Sequence, residues 1–108
     1  MTRDEAEFLL LCKGDAMTPE EQRALGKWWR RKLRSDLTRL RPLAATVSSL
    51  RAQGKTDADD SCRRVTEAVR VNRSILIQTA TRLATAEWYK EFRADFENIA
   101  AQAEALPT

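Results

Sequence analysis

The feature that most constrains the fold is the long middle and end of the chain, residues 55–106, which contain neither glycine nor proline. Glycine and proline are the residues that most often interrupt a helix, so their absence over this length favours helical structure. β-Branched residues nowhere alternate with polar residues over the length of a strand, and no strand is predicted. The sequence therefore predicts an all-α protein.

Residues 55–106 cannot form one helix in a compact domain, because at 1.5 Å per residue it would span ~78 Å. Their apolar residues fall into two stripes with helical spacing, which are Cys62, Val65, Val69, Leu76, Ala80 and Leu83, and then Trp88, Phe92, Phe96, Ile99, Ala103 and Leu106. We predict a turn within residues 83–86, where Thr85 is suited to cap the last helix. Residues 71–74 are the competing position for this break.

Two helix starts are marked in the first part of the chain. Thr2 and Glu5 have the spacing of a capping box, and so do Thr18 and Glu21, with Pro19 at the first helical position between them. These signals predict one short helix near the start of the chain and a second helix from residue 19.

The second helix carries an apolar stripe that continues beyond a proline. Its members before the proline are Leu25, Trp29, Leu33, Leu37 and Leu40, and those after it are Leu43, Val47 and Leu50. Pro42 lacks a backbone donor and predicts a kink or break in the helix. Because the stripe resumes after Pro42, we expect both parts to pack on one core.

These features predict one domain, residues 1–108, folded as a compact four- or five-helix antiparallel bundle. The expected helices cover roughly residues 3–13, 19–40, 43–53, 57–84 and 86–105. Asp57, Asp59 and Asp60 lie at the start of the fourth helix and are interpreted as helix-start acids, because their spacing lacks the glycine and distal glutamate of a calcium loop.

The composition argues against an enzyme. The sequence contains no histidine, which is the commonest general base and metal ligand. We predict no catalytic residues, no metal and no cofactor. Cys12 and Cys62 are too far apart for a metal motif and are interpreted as small core residues in a reducing compartment, with a disulfide as the alternative. The start of the chain lacks a signal-peptide pattern and no apolar run could span a membrane, so a cytoplasmic location is expected.

The charges are strongly polarised along the chain. Residues 1–21 carry a net charge of −4, residues 22–82 carry +10 and residues 83–108 carry −3. Arginine accounts for 14 of the 19 basic residues, and its planar guanidinium suits bidentate contacts with phosphate or carboxylate. The basic middle of the chain is thus the main indication of a binding function.

On a helical wheel, the basic residues of the second helix form what we call the basic ridge: Arg23, Lys27, Arg30, Arg34 and Arg41, with Arg31 beside it. The next helix adds Arg63, Arg64 and Arg70. Asp36 is the only acid between Gln22 and Lys55. Such a face is typical of a track for a nucleic-acid backbone. The alternatives are a solvated face and a surface for an acidic protein. Trp28, next to the ridge, either covers a neighbouring helix or offers a stacking platform for a base.

A short, all-helical chain with an arginine-rich face and no active-site motif resembles the small helical subunits of CRISPR effector complexes. The features that carry the resemblance are the length, the helical class and the basic surface, with Arg23, Lys27, Trp28, Arg30, Arg31 and Arg34 as the matching residues. The resemblance implies a subunit of an antiviral ribonucleoprotein complex that binds RNA or single-stranded DNA without reading sequence. It also implies contacts with other protein subunits and self-association of several copies.

Two other functions compete with this expectation. The chain could be a protein-binding adaptor or inhibitor whose basic ridge docks on an acidic protein surface; salt dependence alone does not separate this from nucleic-acid binding. A sequence-specific helix-turn-helix regulator is disfavoured, because no compact helix pair with a glycine-containing turn is recognisable.

Overall fold

In the computed structural model, which describes residues 1–12 and 17–107, helices make up nearly all of the described chain. The elements are α1 (Arg3–Cys12), α2 (Pro19–Ala52), α3 (Asp60–Thr85), a 3₁₀ helix (Glu87–Phe92) and α4 (Arg93–Glu104). No strand occurs in those described residues, and the prediction of an all-α protein is confirmed. The expected last residue of the first helix, Lys13, lies outside the described residues.

Both predicted capping boxes are present. The Glu5 amide donates to Thr2 Oγ1 over 3.2 Å, and the Thr2 amide donates to Glu5 Oε2 over 3.3 Å. At the start of α2, the Glu21 amide donates to Thr18 Oγ1 over 3.1 Å and the Thr18 amide donates to Glu21 Oε1 over 3.2 Å. Each box satisfies backbone donors that the first helical turn leaves without an intrahelical partner.

Helix α2 continues through Pro42. The two helices expected at 19–40 and 43–53 are one helix, so the predicted break is absent, and the predicted kink is not confirmed. Leu40 and Val47 are both buried, as the shared apolar stripe predicts. Burial on both sides offsets the cost of the proline, about 3 kcal/mol. Leu43 departs from the predicted stripe, since it is 44% exposed while the neighbouring Ala44 is fully buried.

The acid-rich segment before α3 is a helix start, as predicted. Asp59 is the N-cap, and its carboxylate accepts a hydrogen bond from the Cys62 amide over 2.8 Å. This bond favours the charged form and lowers the pKa of Asp59. The helix itself begins at Asp60, three residues later than expected.

The long region without glycine or proline is interrupted at Ala86, whose backbone is extended, with φ −73° and ψ 126°. The predicted break within residues 83–86 is therefore confirmed, while the competing position at 71–74 is helical. Thr85 is not the cap that was expected, because its hydroxyl donates to the Arg82 carbonyl over 2.9 Å. The last predicted helix begins as a 3₁₀ turn and becomes α-helical only at Arg93.

Arginine contacts fix the direction of α4. Arg73 of α3 donates to the carbonyls of Ala103 and Glu104 at the end of α4, over 2.9 and 2.7 Å. Arg93, at the start of α4, donates to the Ala84 carbonyl near the end of α3 over 2.9 Å. Helices α3 and α4 therefore run in opposite directions.

The domain is elongated, contrary to the prediction of a compact bundle. Its extents are 51 × 24 × 17 Å and its radius of gyration is 16.0 Å, against about 13 Å for a compact domain of this length. The 34 residues of α2 at 1.5 Å each account for the long axis. Helix α4 ends beside Arg41 and Arg73. The last part of α2 and the first part of α3 therefore continue beyond it, and we call this pair the two-helix tip.

The core lies between α2, α3, the 3₁₀ helix and α4, and its largest fully buried side chains are Trp29, Tyr89 and Phe96. The predicted stripes are mostly buried, with Cys62 and Val65 half-buried. The side chain of Trp88 lies outside the described residues. Tyr89, Phe92 and Phe96 form what we call the aromatic cluster. Gly26 lies close to it: a Cβ atom added there would lie 2.6 Å from two ring carbons of Phe92. Only a residue without a side chain fits at this point of contact.

Candidate nucleic-acid interface

The predicted binding residues lie on two separate parts of the protein. Eight of the ten are exposed and two, Trp28 and Arg30, are half-buried. Six basic residues and Trp28 lie on α2, while Arg63, Arg64 and Arg70 lie on the first half of α3. Arg23 precedes the end of α2 by 29 residues, or about 40 Å of helix, and α3 begins beyond that end. The ten residues are therefore distributed over two helices.

The acidic C-terminal part of the chain packs along the basic ridge. Arg23 makes two hydrogen bonds to the Glu91 carboxylate, over 2.8 and 2.9 Å. These contacts raise the pKa of Arg23 and lower that of Glu91. Arg30 and Arg34 both contact Asp95, over 3.0 and 3.3 Å. The ridge has almost no acid within α2, but the fold supplies acids from residues more than 60 positions away.

Arg30 and Arg41 of the ridge make further contacts within the protein. The Arg30 guanidinium carbon lies 5.0 Å from the centroid of the Phe92 ring, an arrangement that favours a cation over the aromatic face. Arg41 donates to the side-chain oxygen of Gln102 on α4. Within the described part of the chain, Lys27 is the only ridge residue with no hydrogen bond or ion pair, and neighbouring Arg31 has none either. These two side chains are the most available to a ligand.

The acids that contact α2 are too few to neutralise it. Residues 23–41 contain eight basic side chains. The carboxylates that contact them within the described residues are Glu91, Asp95 and Asp36. Asp36 is shared by Lys32 and Arg39, at 3.3 and 3.6 Å. The surface along α2 thus keeps an excess of about five positive charges, which attracts anionic ligands.

Trp28 is packed against the core and its position favours a structural role. Its ring meets that of Trp29 edge-on, with centroids 5.1 Å apart and planes at 87°. The side chain is only half-buried, but this contact restricts the ring. Covering a neighbouring part of the core explains Trp28 better than a free stacking platform does.

The arginines on α3 are mostly paired within their own helix. Arg63 contacts Asp60, and Arg70 contacts Glu67 with a distance of 3.0 Å between Nε and Oε2. Arg64 is exposed and contacts no acid of the described chain. These pairs are exposed and local, so they contribute little to stability. Arg63 and Arg70 are seven residues apart and lie on the same side of α3.

Among residues 1–12 and 17–107, no group of three His, Cys, Asp or Glu side chains is placed to hold a metal ion. None of the helices in those residues combines the length and the apolar character that crossing a membrane requires. Cys62 forms no disulfide, and burial raises the pKa of its thiol. The side chain of Cys12 lies outside the described residues.

Sequence reasoning missed the acids that complete this surface. Glu91 and Asp95 are four residues apart, so both belong to one side of the segment that packs on α2. This spacing is visible in the sequence. The pairing of Glu91 and Asp95 with residues 23–34, however, depends on the tertiary fold, because α3 must first bring this segment back to the start of α2. Comparison with known protein families, with curated protein sequences and with solved structures finds no match.

Proposed function

We propose that this chain is a non-catalytic helical subunit that binds the backbone of RNA or single-stranded DNA through the exposed basic residues of α2. The observation that carries the proposal is the charge balance along the basic ridge and Arg31, where two carboxylates, Glu91 and Asp95, contact a row of six basic side chains. A phosphate backbone is the ligand that matches a row of cations without an enclosed pocket.

The binding surface is narrower than the set predicted from the sequence. Its centre is Lys27 and Arg31, which are exposed and form no hydrogen bond or ion pair in the described chain, although the charge of Lys27 acts on Glu91 from a longer distance. Arg34 and Arg41 extend the row, and Arg34 shares its carboxylate with Arg30. Residues 27–41 span about 21 Å of helix, which corresponds to about six nucleotides of a strand stacked as in duplex DNA, at 3.4 Å each, and to fewer of an extended strand.

The surroundings of such a subunit are part of the same proposal. The resemblance to CRISPR small subunits supports a place in a larger cytoplasmic ribonucleoprotein complex with other protein subunits. In that setting several copies would lie along one nucleic acid. A surface that contacts only phosphates would serve there without sequence preference.

The test is a titration of unrelated single-stranded oligonucleotides, followed by fluorescence anisotropy at several salt concentrations. Replacing Lys27 and Arg31 by glutamine should weaken binding to all sequences equally and reduce the log–log salt slope by about 0.7 for each lost phosphate contact. The matched control replaces Arg51 and Arg82, which are also exposed and without acid partners in the described residues. The control removes the same charge and should leave affinity almost unchanged.

The intramolecular acids provide a second arm of the test. Glu91→Gln releases Arg23, and Asp95→Asn releases Arg34, so both changes should strengthen oligonucleotide binding. Equal losses in the Lys27/Arg31 variant and its control would show that net charge, not this surface, governs binding. No binding at low salt, either by the chain or by the complex co-purified from its host, would contradict the proposal.

The second candidate is an adaptor that docks on an acidic protein. The same excess of positive charge favours it, because a carboxylate-rich surface would also complement α2. This candidate predicts co-purification of a protein partner that survives nuclease treatment, together with no affinity for oligonucleotides.

A further inference from the structure

On the opposite side of α2 from the nucleic-acid surface, a groove of about 370 Å³ opens between α2 and α3. Its apolar lining is formed by Leu40, Leu43, Ile75 and Leu76. Leu43 follows Lys27 by 16 residues, which is a rotation of about 160° around the helix. The groove and the proposed nucleic-acid surface are therefore independent features of one helix.

Large apolar side chains are exposed at this groove. Leu43 is 44% exposed and Ile75 is 43% exposed. Val71 does not line the groove, but it lies one turn before Ile75 on the same side of α3 and is 37% exposed. These are three of the five large apolar side chains exposed in the described residues. A concentration of exposed apolar surface on one face is typical of an interaction site.

The rim of the groove is basic. Arg3, Lys32 and Arg39 line it and all contact the single carboxylate of Asp36, at 3.0, 3.3 and 3.6 Å. Arg39 is the most exposed of them, with 68% of its side chain accessible. Arg3 also contacts Glu7 over 3.5 Å, so three cations meet two carboxylates. The rim keeps an excess of positive charge, centred on the exposed Arg39, which an acidic ligand would complement.

Helix α1 shows which kind of element packs on this side of α2. It is a short amphipathic helix with acids at positions 4, 5 and 7, and its Ala6 is fully buried. Its first residue, Arg3, contacts Asp36 and marks the end of the groove. The apolar lining continues from there along α2 and α3, where no helix of the described chain covers Leu43 and Ile75.

We infer that this groove binds an acidic amphipathic helix from a protein partner. The apolar face of that helix would cover Leu43 and Ile75, and its carboxylates would contact Arg39 and Lys32. Apolar side chains at i, i+3 or i+4 and i+7 are the anchors that such grooves accept. The inference goes beyond nucleic-acid binding and concerns how the chain joins other proteins.

The experiment is a selection of helical peptides from a randomised phage-displayed library against the full chain. Peptides that carry apolar residues at helical spacing together with several acids should be enriched. Their affinity should fall at least about tenfold for the Leu43→Asp/Ile75→Asp variant. Phe8→Asp is the matched control, because Phe8 is also exposed, at 56%, but lies on α1. It should leave peptide affinity unchanged.

Charge reversal tests the rim separately. Arg39→Glu should weaken the acidic peptides about tenfold. The inference is overturned if no peptide is enriched, if enriched peptides carry no excess of acid, or if they bind the Leu43/Ile75 variant equally well. It is also overturned if the chain forms a dimer in sedimentation that this variant abolishes, since a second copy would then occupy the groove. Oligonucleotide affinity should be the same in the Leu43/Ile75 and Phe8 variants as in the wild type, so these variants distinguish a failure of the groove from a failure of the nucleic-acid surface.

Discussion

Gly26→Ala tests the packing of α2 against the aromatic cluster that carries Glu91 and Asp95 to the basic ridge. An added methyl group would lie 2.6 Å from two carbons of the Phe92 ring and 3.0 Å from a carbon of the Tyr89 ring. Carbon atoms in favourable contact are about 3.5–4.0 Å apart. The ring of Phe92 must therefore move by about 1 Å.

Two opposing effects decide the size of the change. Alanine is favoured over glycine inside a helix by about 1 kcal/mol. Overpacking a core costs about 1–3 kcal/mol. The upper part of that range applies, because Phe92 is 5% exposed and contacts Arg30 on one side and Phe96 on another. We expect a net destabilisation of about 1–2 kcal/mol, or a fall in Tm on the order of 5–10 °C.

The free energy of unfolding should be measured by urea denaturation with circular dichroism. The control is the same substitution in a Phe92→Leu background, where the smaller side chain leaves room for the methyl group. There Gly26→Ala should be neutral or stabilising, which gives a coupling energy of about 1–2 kcal/mol between the two positions. A neutral or stabilising effect of Gly26→Ala in the otherwise wild-type protein would refute the reasoning, because the Phe92 ring would then have moved aside without a cost in free energy.

Two further predictions concern the helices that frame the site. Leu40→Ala should destabilise the protein by about 2–5 kcal/mol, whereas Leu43→Ala, on an exposed side chain, should cost less than about 1 kcal/mol; equal losses in urea denaturation would place Leu43 in the core. The lowered pKa of Asp59 stabilises the fold above the unfolded pKa of about 3.9, and this contribution is lost as pH falls through the folded pKa. Wild type should thus exceed Asp59→Asn in urea midpoint at neutral pH, and this excess should shrink as the pH falls below about 3.9; an excess that does not change with pH would contradict the contribution of the Asp59 charge.

The helix starts and the core could be predicted because their signals are local. Thr2 and Thr18 cap their helices through residues three positions away, and the spacing of Phe96 and Ile99 defines the buried face without knowledge of their partners. Such short-range patterns are determined by the geometry of a single helix.

The break predicted at Pro42 is absent because one local rule was opposed by tertiary packing. A proline predicts an interruption, but burial of Leu40 and Val47 in one core holds the helix together. Leu43 was assigned to the buried face for a related reason. Its spacing fits the apolar stripe, but Ala44, and not Leu43, is the residue that is buried in the core.

The candidate site could be predicted only in part. The row of cations on α2 follows from helical geometry, but their pairing with Glu91 and Asp95 joins residues up to 68 positions apart. Nothing in the sequence of α2 reveals those partners. The sequence of one helix thus shows where its charged side chains lie. Whether those side chains are available to a ligand depends on the rest of the fold.

The two-helix tip beyond α4 gives the protein an uneven resistance to local opening. Between residues 51 and 61 only Thr56 is even half-buried, so the far end of the tip is held by far less apolar contact than the part of α2 that contains Leu40 and Val47. Backbone amides should therefore open from that end inwards, and the opening should stop where Val47 and Val69 are buried. One uninterrupted helix thus joins a firmly held part to an end that should fray before the domain unfolds.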